Sequence, residues 1–189
     1  MKRRTLFKTA ALALFSDAIP RLARAQAHTL SQGDLELVAA IGDIVLPSSL
    51  GADGRGKAVE RFVQWLDGYK AGVRMGFGYG GQLKSQVVPP SPILRYPAQF
   101  RRLQELSKAK GSTFTALATA DRKAIVEAAL IEANITKLPV RPDGRHVASD
   151  LMSHFYGSSD GNDFIFKAAI RASDCRGLGT SAQRPDSIS

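Results

Sequence analysis

Residues 31–47 read SQGDLELVAAIGDIVLP, and the fold class turns on how this stretch is read. Leu35, Val38, Ile41 and Val45 recur at the spacing that puts side chains on one face of a helix. Ser31 stands where an N-cap belongs, Asp34 follows three residues later, and Pro47 stops the run. The spacing predicts a helix over 31–46. Residues 48–56 carry Gly51, Gly54 and Gly56 and read as a loop. A second helical period over 57–75 places Val59, Phe62, Val63, Leu66, Tyr69 and Val73 on one face, with the packing residue Trp65 at its edge.

Further along, the period breaks and resumes. Residues 76–97 contain Gly76, Gly78, Gly80 and Gly81 and then Pro89, Pro90 and Pro92, a flexible stretch followed by a stiff one. A long aperiodic segment in a small domain is functional or disordered. Its aromatic residues Phe77, Tyr79 and Tyr96 favour docking onto another surface. Helical spacing returns over 97–110 with Phe100, Leu103 and Leu106. It returns again over 119–133, with Thr119 as N-cap and Ile125, Val126, Ala129 and Leu130 inward. Further helices are expected over 145–156 (Val147, Leu151, Phe155) and from Ser159 to about position 171. The Gly/Ser-rich tail 172–189 reads as extended. No strand alternation of useful length is evident, so the expectation is an all-α fold. It would be a compact bundle of five or six short helices with a long Gly/Pro-rich loop and an extended C-terminal tail.

The chain has 189 residues, enough for one domain. Its 44% hydrophobic and 23% charged residues exclude wholesale disorder and a polytopic membrane protein. Formal net charge is +9, which raises nucleic-acid binding. The distribution argues against it. Lys2, Arg3, Arg4, Lys8, Arg21 and Arg24 face a single acid, Asp17, within residues 1–27, so more than half of the excess lies there. The remainder is mildly basic and has no long basic run.

Those first residues read as an address. A basic n-region (MKRRTLFK) precedes the short apolar run 9–15, and Ala25-Gln26-Ala27 forms a cleavage site that makes His28 the mature N-terminus. The apolar run is too short to span a bilayer. Arg3-Arg4-Thr5-Leu6-Phe7-Lys8 resembles the twin-arginine export motif, with Leu and Phe in the less common order. The expected division is a signal peptide over 1–27 and a helical small-subunit domain over 28–189, located in the periplasm. That route carries folded, often cofactor-loaded cargo. A short chain without a cofactor motif does not need it for itself, which implies that something travels with it.

Residues capable of chemistry are few. His146, Asp150 and His154 fall at i, i+4 and i+8, so one helix face presents all three. Imidazole and carboxylate suit a metal, but the preferred reading is an exposed polar stripe opposite Val147, Leu151 and Phe155. The glycines of 76–81 follow a predicted helix and lack a following Lys-Ser/Thr, so they do not make a phosphate loop. No spacing places a nucleophile beside a base. Cys175 is the one cysteine. In an oxidising compartment it suits an intermolecular disulfide, and in a packed tail it suits a buried thiol; both readings stand.

Residues Asp34 to Pro47, ending Asp43-Ile44-Val45-Leu46-Pro47, resemble the gluconate 2-dehydrogenase subunit 3 family. So do Gly51-Ala52, Val59-Glu60-Arg61-Phe62-Val63, Asp150-Leu151-Met152, Phe155-Tyr156, Ser159, Asp163 and Cys175-Arg176-Gly177-Leu178. Residues 72–97 match it least. The resemblance implies a small, non-catalytic partner of a large FAD-dependent dehydrogenase of the glucose–methanol–choline type. The large subunit would oxidise sugars, sugar acids or glycosides and pass electrons to a cytochrome c. The small one would supply export. It further implies no cofactor in this chain, FAD in the partner, no nucleic acid, and membrane contact only through the complex. Expected interface residues are Phe77, Tyr79, Tyr96, Cys175 and Arg176; expected export residues are Arg3, Arg4, Ala25 and Ala27. Two other readings are a stand-alone periplasmic binding or scaffold protein, and an enzyme using the His146, Asp150 and His154 face.

Overall fold

In a computed structural model, which describes residues 30–77 and 83–167, the stretch after Ser31 folds as α1 (Gln32–Val45). Its start is a reciprocal cap. The Asp34 backbone N–H donates to Ser31 Oγ at 3.2 Å, and the Ser31 N–H donates to Asp34 Oδ2 at 3.0 Å. Leu37, Val38, Ala40, Ile41 and Gly42 form the buried face, and α1 becomes the element on which the other helices gather.

The chain then turns through a 3₁₀ segment (Ser48–Leu50) into α2 (Gly51–Asp67). The glycine-containing stretch expected as a loop is therefore mostly helix. Packing overrides glycine's poor propensity there. α2 lies against α1, and Arg55 approaches Asp43 at 3.5 Å and donates to the Ser48 carbonyl. Gly42 permits the close crossing: a Cβ built there would sit 2.5 Å from Val59 Cγ2.

α2 ends at Asp67, earlier than its period suggested, because the chain turns at Gly68 and becomes extended. Gly72–Phe77 forms β1 and Leu83–Val88 forms β2, an antiparallel pair in the register Val73↔Val87, Met75↔Ser85, Phe77↔Leu83. The all-α expectation is thus corrected: the described residues are mostly helical with one two-stranded sheet. The aperiodic reading of the segment after Gly76 is corrected with it, since β2 and a 3₁₀ turn (Pro92–Arg95) occupy much of it.

Four further helices follow among the described residues. α3 (Tyr96–Lys108) buries Tyr96, Phe100, Leu103 and Ser107, and the Ser107 hydroxyl donates back to the Leu103 carbonyl at 2.7 Å. A 3₁₀ turn (Phe114–Ala116) leads to α4 (Thr119–Glu132), where Ala118, not Thr119, is the capping position and no side chain caps it. α5 (Val147–Tyr156) begins two residues later than its period suggested. A sharp corner then leads to α6 (Ser159–Phe166), capped by Ser158 through its Oγ and the Gly161 N–H. A Cβ at Gly161 would press on the Phe155 carbonyl oxygen and lie 2.8 Å from Tyr156 Cα. Arg61 of α2 pairs with Asp160 of α6. Phe62, Tyr96, Phe114, Ile41, Leu103 and Leu151 are fully buried, and each such side chain stabilises the fold by about 1.5–3 kcal/mol.

Candidate functional site

The polar residues of α5 turn inward. Asp150 is fully buried, and its carboxylate accepts three hydrogen bonds. Tyr96 Oη donates to Oδ2 at 2.8 Å, the Gly144 N–H to Oδ2 at 2.8 Å, and the Asp143 N–H to Oδ1 at 2.9 Å. One carboxylate thus ties the start of α3 and the loop before α5 to α5 itself. Burial pushes the Asp150 carboxyl above its ordinary range, while those three donors pull it down. Burial and the neighbouring carboxylate push the Tyr96 phenol far up, so it stays a donor.

Gln99 clamps the same junction from α3. Its Nε2 donates to the Gly144 and Arg145 carbonyls at 3.0 and 3.2 Å, and its Oε1 accepts from the Val147 N–H at 2.8 Å. His146 is the N-cap: its Nδ1 accepts from the Ala148 N–H at 3.1 Å. The ring therefore carries its proton on Nε2, and burial lowers its pKa to about 4. Ser153 on the next turns donates to the Pro139 carbonyl at 2.7 Å.

The exposed-stripe reading of His146, Asp150 and His154 is therefore corrected. His146 and Asp150 are core residues with structural partners, and His154 is half-buried against the rings of Phe62 and Trp65. Burial, and then the charge of Arg61, lower the His154 pKa. Among the described residues no group of three or more His, Cys, Asp or Glu is arranged to hold a metal ion. Tyr96, expected at a partner interface, is likewise corrected: it is fully buried and its hydroxyl is taken by Asp150.

Exposed apolar side chains occur on the hairpin, and also at Ile131, Val140 and Phe166 outside it. The strands pair with each other and meet the helices only sparsely; Tyr69 Oη donates to the Pro89 carbonyl at 3.1 Å across the base. Side chains alternate between the two faces of a strand, so Val73, Met75 and Val87 share one face. They are 68%, 61% and 77% exposed. Phe77 ends β1; Tyr79 lies outside the described residues. So do Cys175 and Arg176, the tail 172–189, and the export residues Arg3, Arg4, Ala25 and Ala27.

A cleft of about 910 Å³ opens at the hairpin's base. Its lining brings together Trp65, Tyr69 and His154 with Gln86, Val87 and Val88 of β2 and with Val140, Arg141 and Asp143. Trp65 meets Tyr69 edge-on, with ring centroids 5.2 Å apart. Among the described residues no single helix is long and apolar enough to cross a membrane.

Two features of this region were missed at the level of sequence. The hairpin had a signal, the alternation of Val73, Met75 and Phe77 followed by glycines and then Leu83, Ser85 and Val87. The roles of Gln99 and Asp150 had none, because their partners are distant in the chain. Comparisons of the chain with protein-family models, with curated proteins and with solved structures found no match.

Proposed function

We propose that this chain is the small, non-catalytic subunit of a periplasmic FAD-dependent dehydrogenase of the glucose–methanol–choline type, and that it escorts the folded flavoprotein through twin-arginine export. The substrate class would be sugars, sugar acids or glycosides, with a cytochrome c as electron acceptor. The observation that carries this reading is the hairpin. Among the described residues the sheet has two strands, a ribbon only marginally stable in water by itself, and it exposes Val73, Met75 and Val87 beside a closed helical core. Such a patch suits a subunit that is completed by a partner. The signal-like N-terminus and the family resemblance of the sequence supply the partner's class. In this reading Cys175 either bridges to the large subunit after export or packs as a thiol.

The test is purification of the tagged full chain from periplasm, followed by absorbance spectroscopy. A co-purifying large protein with a flavin spectrum is expected, and the small chain freed from it should carry no flavin. Arg3→Lys with Arg4→Lys should remove both proteins from the periplasm. A fully active flavoprotein that still reaches the periplasm with the doubly substituted escort ends the export role. Non-reducing gels of the complex decide between the two roles of Cys175: one band at the summed mass that collapses with reductant supports the bridge, and two separate bands leave the packed thiol.

One observation favours a second reading, a stand-alone periplasmic binding protein. The cleft lined by Trp65, Tyr69 and His154 has the volume and mixed lining of a small-molecule site. Titration calorimetry of the partner-free chain against sugar acids distinguishes the two.

A further inference from the structure

We propose that the cleft at the hairpin's base binds a carboxylate carried on a multi-ring body, with Lys70 and Arg141 pairing the acid and Trp65 and Tyr69 taking the rings. The proposal gives the second reading above its ligand class and rests on it; the accessory-subunit reading is independent of it.

The aromatic wall comes first. Trp65 and Tyr69 meet with their planes crossed at 86° and their ring centroids 5.2 Å apart. Phe62 stacks behind Trp65 at 5.9 Å, and the Tyr69 hydroxyl is anchored on the Pro89 carbonyl at 3.1 Å. Both rings are held before a ligand arrives, so binding pays little to order them. Val88, Val140 and Pro142 add aliphatic surface to the same lining. Fixed aromatic rings with aliphatic neighbours suit the flat faces of rings better than a flexible chain. At about 910 Å³ the cleft lies at the large end of small-molecule sites, with room for more than one ring.

Charge sets the rest of the ligand. Among the described lining residues Lys70, Arg141 and Asp143 carry formal charges. Both oxygens of Asp143 are already taken by Arg145: Oδ1 accepts from its N–H at 3.0 Å and Oδ2 from its Nε at 2.8 Å. Lys70 and Arg141 have no acid partner among the described residues. The cleft therefore presents two uncompensated cations and one compensated anion. A ligand carboxylate supplies the missing acceptor, whereas a cationic ligand meets repulsion.

His154 adds a polar contact of its own. Burial and the charge of Arg61 lower its pKa, so the ring is neutral at neutral pH and offers one donor and one acceptor. No hydrogen bond among the described residues uses either nitrogen. A ring oxygen or hydroxyl of the ligand satisfies them.

The experiment titrates the full chain calorimetrically with two matched pairs. Phenyl glucuronide and phenyl glucoside differ by a carboxylate on a sugar ring; biphenylcarboxylate and biphenylcarboxamide differ likewise on an aromatic body. The first pair tests a sugar-borne acid and the second an aromatic one. In at least one pair the acid should bind about tenfold more tightly than its neutral twin, the scale of one charge-assisted hydrogen bond. Trp65 is the chain's one tryptophan, so its fluorescence should change with the same affinity. Lys70→Met and Arg141→Leu should each weaken the acid about fivefold and spare the neutral twin, and raised salt should act in the same direction. Val140→Asp, at a lining position 92% exposed, should also weaken the acid alone. Ile131→Asp, exposed on α4 and outside the lining, should change neither. All four substituted side chains are exposed, and circular dichroism verifies that the variants keep their helices.

Equal affinities within both pairs overturn the proposal. So do acid binding untouched by both cation variants, and saturation that leaves Trp65 fluorescence unmoved. The parent reading separates from it. Neutral twins that bind at Trp65 as tightly as the acids end the carboxylate assignment and keep a binding protein. Binding of none of the four compounds ends the site, while co-purification of a flavoprotein still decides the accessory role.

Discussion

Tyr96 and Asp150, fifty-four residues apart, meet at 2.8 Å in the fully buried interior, phenol donating to carboxylate. The same carboxylate holds the Asp143 and Gly144 amides, so the loop before α5 takes its position from a side chain that follows it. A buried carboxylate satisfied by three donors costs little; one of those donors left without it costs a good deal.

Asp150→Ala should therefore destabilise the fold more than Tyr96→Phe. The alanine variant leaves two backbone amides and a phenol without an acceptor, a loss on the order of 3–5 kcal/mol. Tyr96→Phe removes one hydrogen bond to the carboxylate, about 1.5–3 kcal/mol. Urea unfolding followed by circular dichroism measures both. Equal midpoints for the two variants would show that the loop amides do not depend on Asp150.

Acid should weaken the protein through His146. Its folded pKa is lowered to about 4 from 6.5, so the native state resists protonation and the unfolded chain takes up the proton first. The associated stability is complete above the unfolded pKa of 6.5 and declines as pH falls from there toward 4. At most about 3 kcal/mol is involved. Asp150, pushed up by burial, contributes the opposite slope, so the readout is a difference between variants. His146→Asn keeps a capping oxygen without a titrating ring. Its stability should fall less than that of the parent between pH 7 and pH 4.5, and parallel curves for the two would remove His146 as the cause.

Gly42→Ala should cost about 1–3 kcal/mol, because the new methyl meets stiff, β-branched Val59 at 2.5 Å where α1 crosses α2. Val59→Ala in the same chain should recover part of the loss. Thermal unfolding of the single and double variants checks this, and a double variant no better than the worse single one excludes the clash.

Cutting the tether between Tyr69 and Pro89 should loosen the hairpin without disturbing the core. Tyr69→Phe removes a hydrogen bond on an exposed side chain, so global stability should change by less than about 1 kcal/mol. Hydrogen exchange at the β1 and β2 amides should accelerate while α1 and α5 amides keep their protection. Unchanged exchange across Gly72–Phe77 and Leu83–Val88 would assign the hairpin's order to something other than that bond.

The start of α1 was legible in the sequence because the groups that make it lie three residues apart. Ser31 and Asp34 satisfy each other's backbone whatever the rest of the chain does. The apolar periods of α1, α3, α4 and α5 were legible for a similar reason, since helical packing needs a repeating stripe. Where two periods overlap, local pattern fails. Tyr69 and Val73 extend the stripe of α2 at helical spacing, yet Val73 also alternates with Met75 and Phe77; Gly68 and the pairing with Leu83–Val88 decide for the strand. Burial of charge was beyond local reading altogether. Three polar residues at i, i+4 and i+8 on a helix look solvated until Tyr96 and the 143–144 amides arrive from elsewhere in the chain. Tertiary structure alone brings the donors that let Asp150 leave water, and it alone leaves the hairpin's apolar row uncovered.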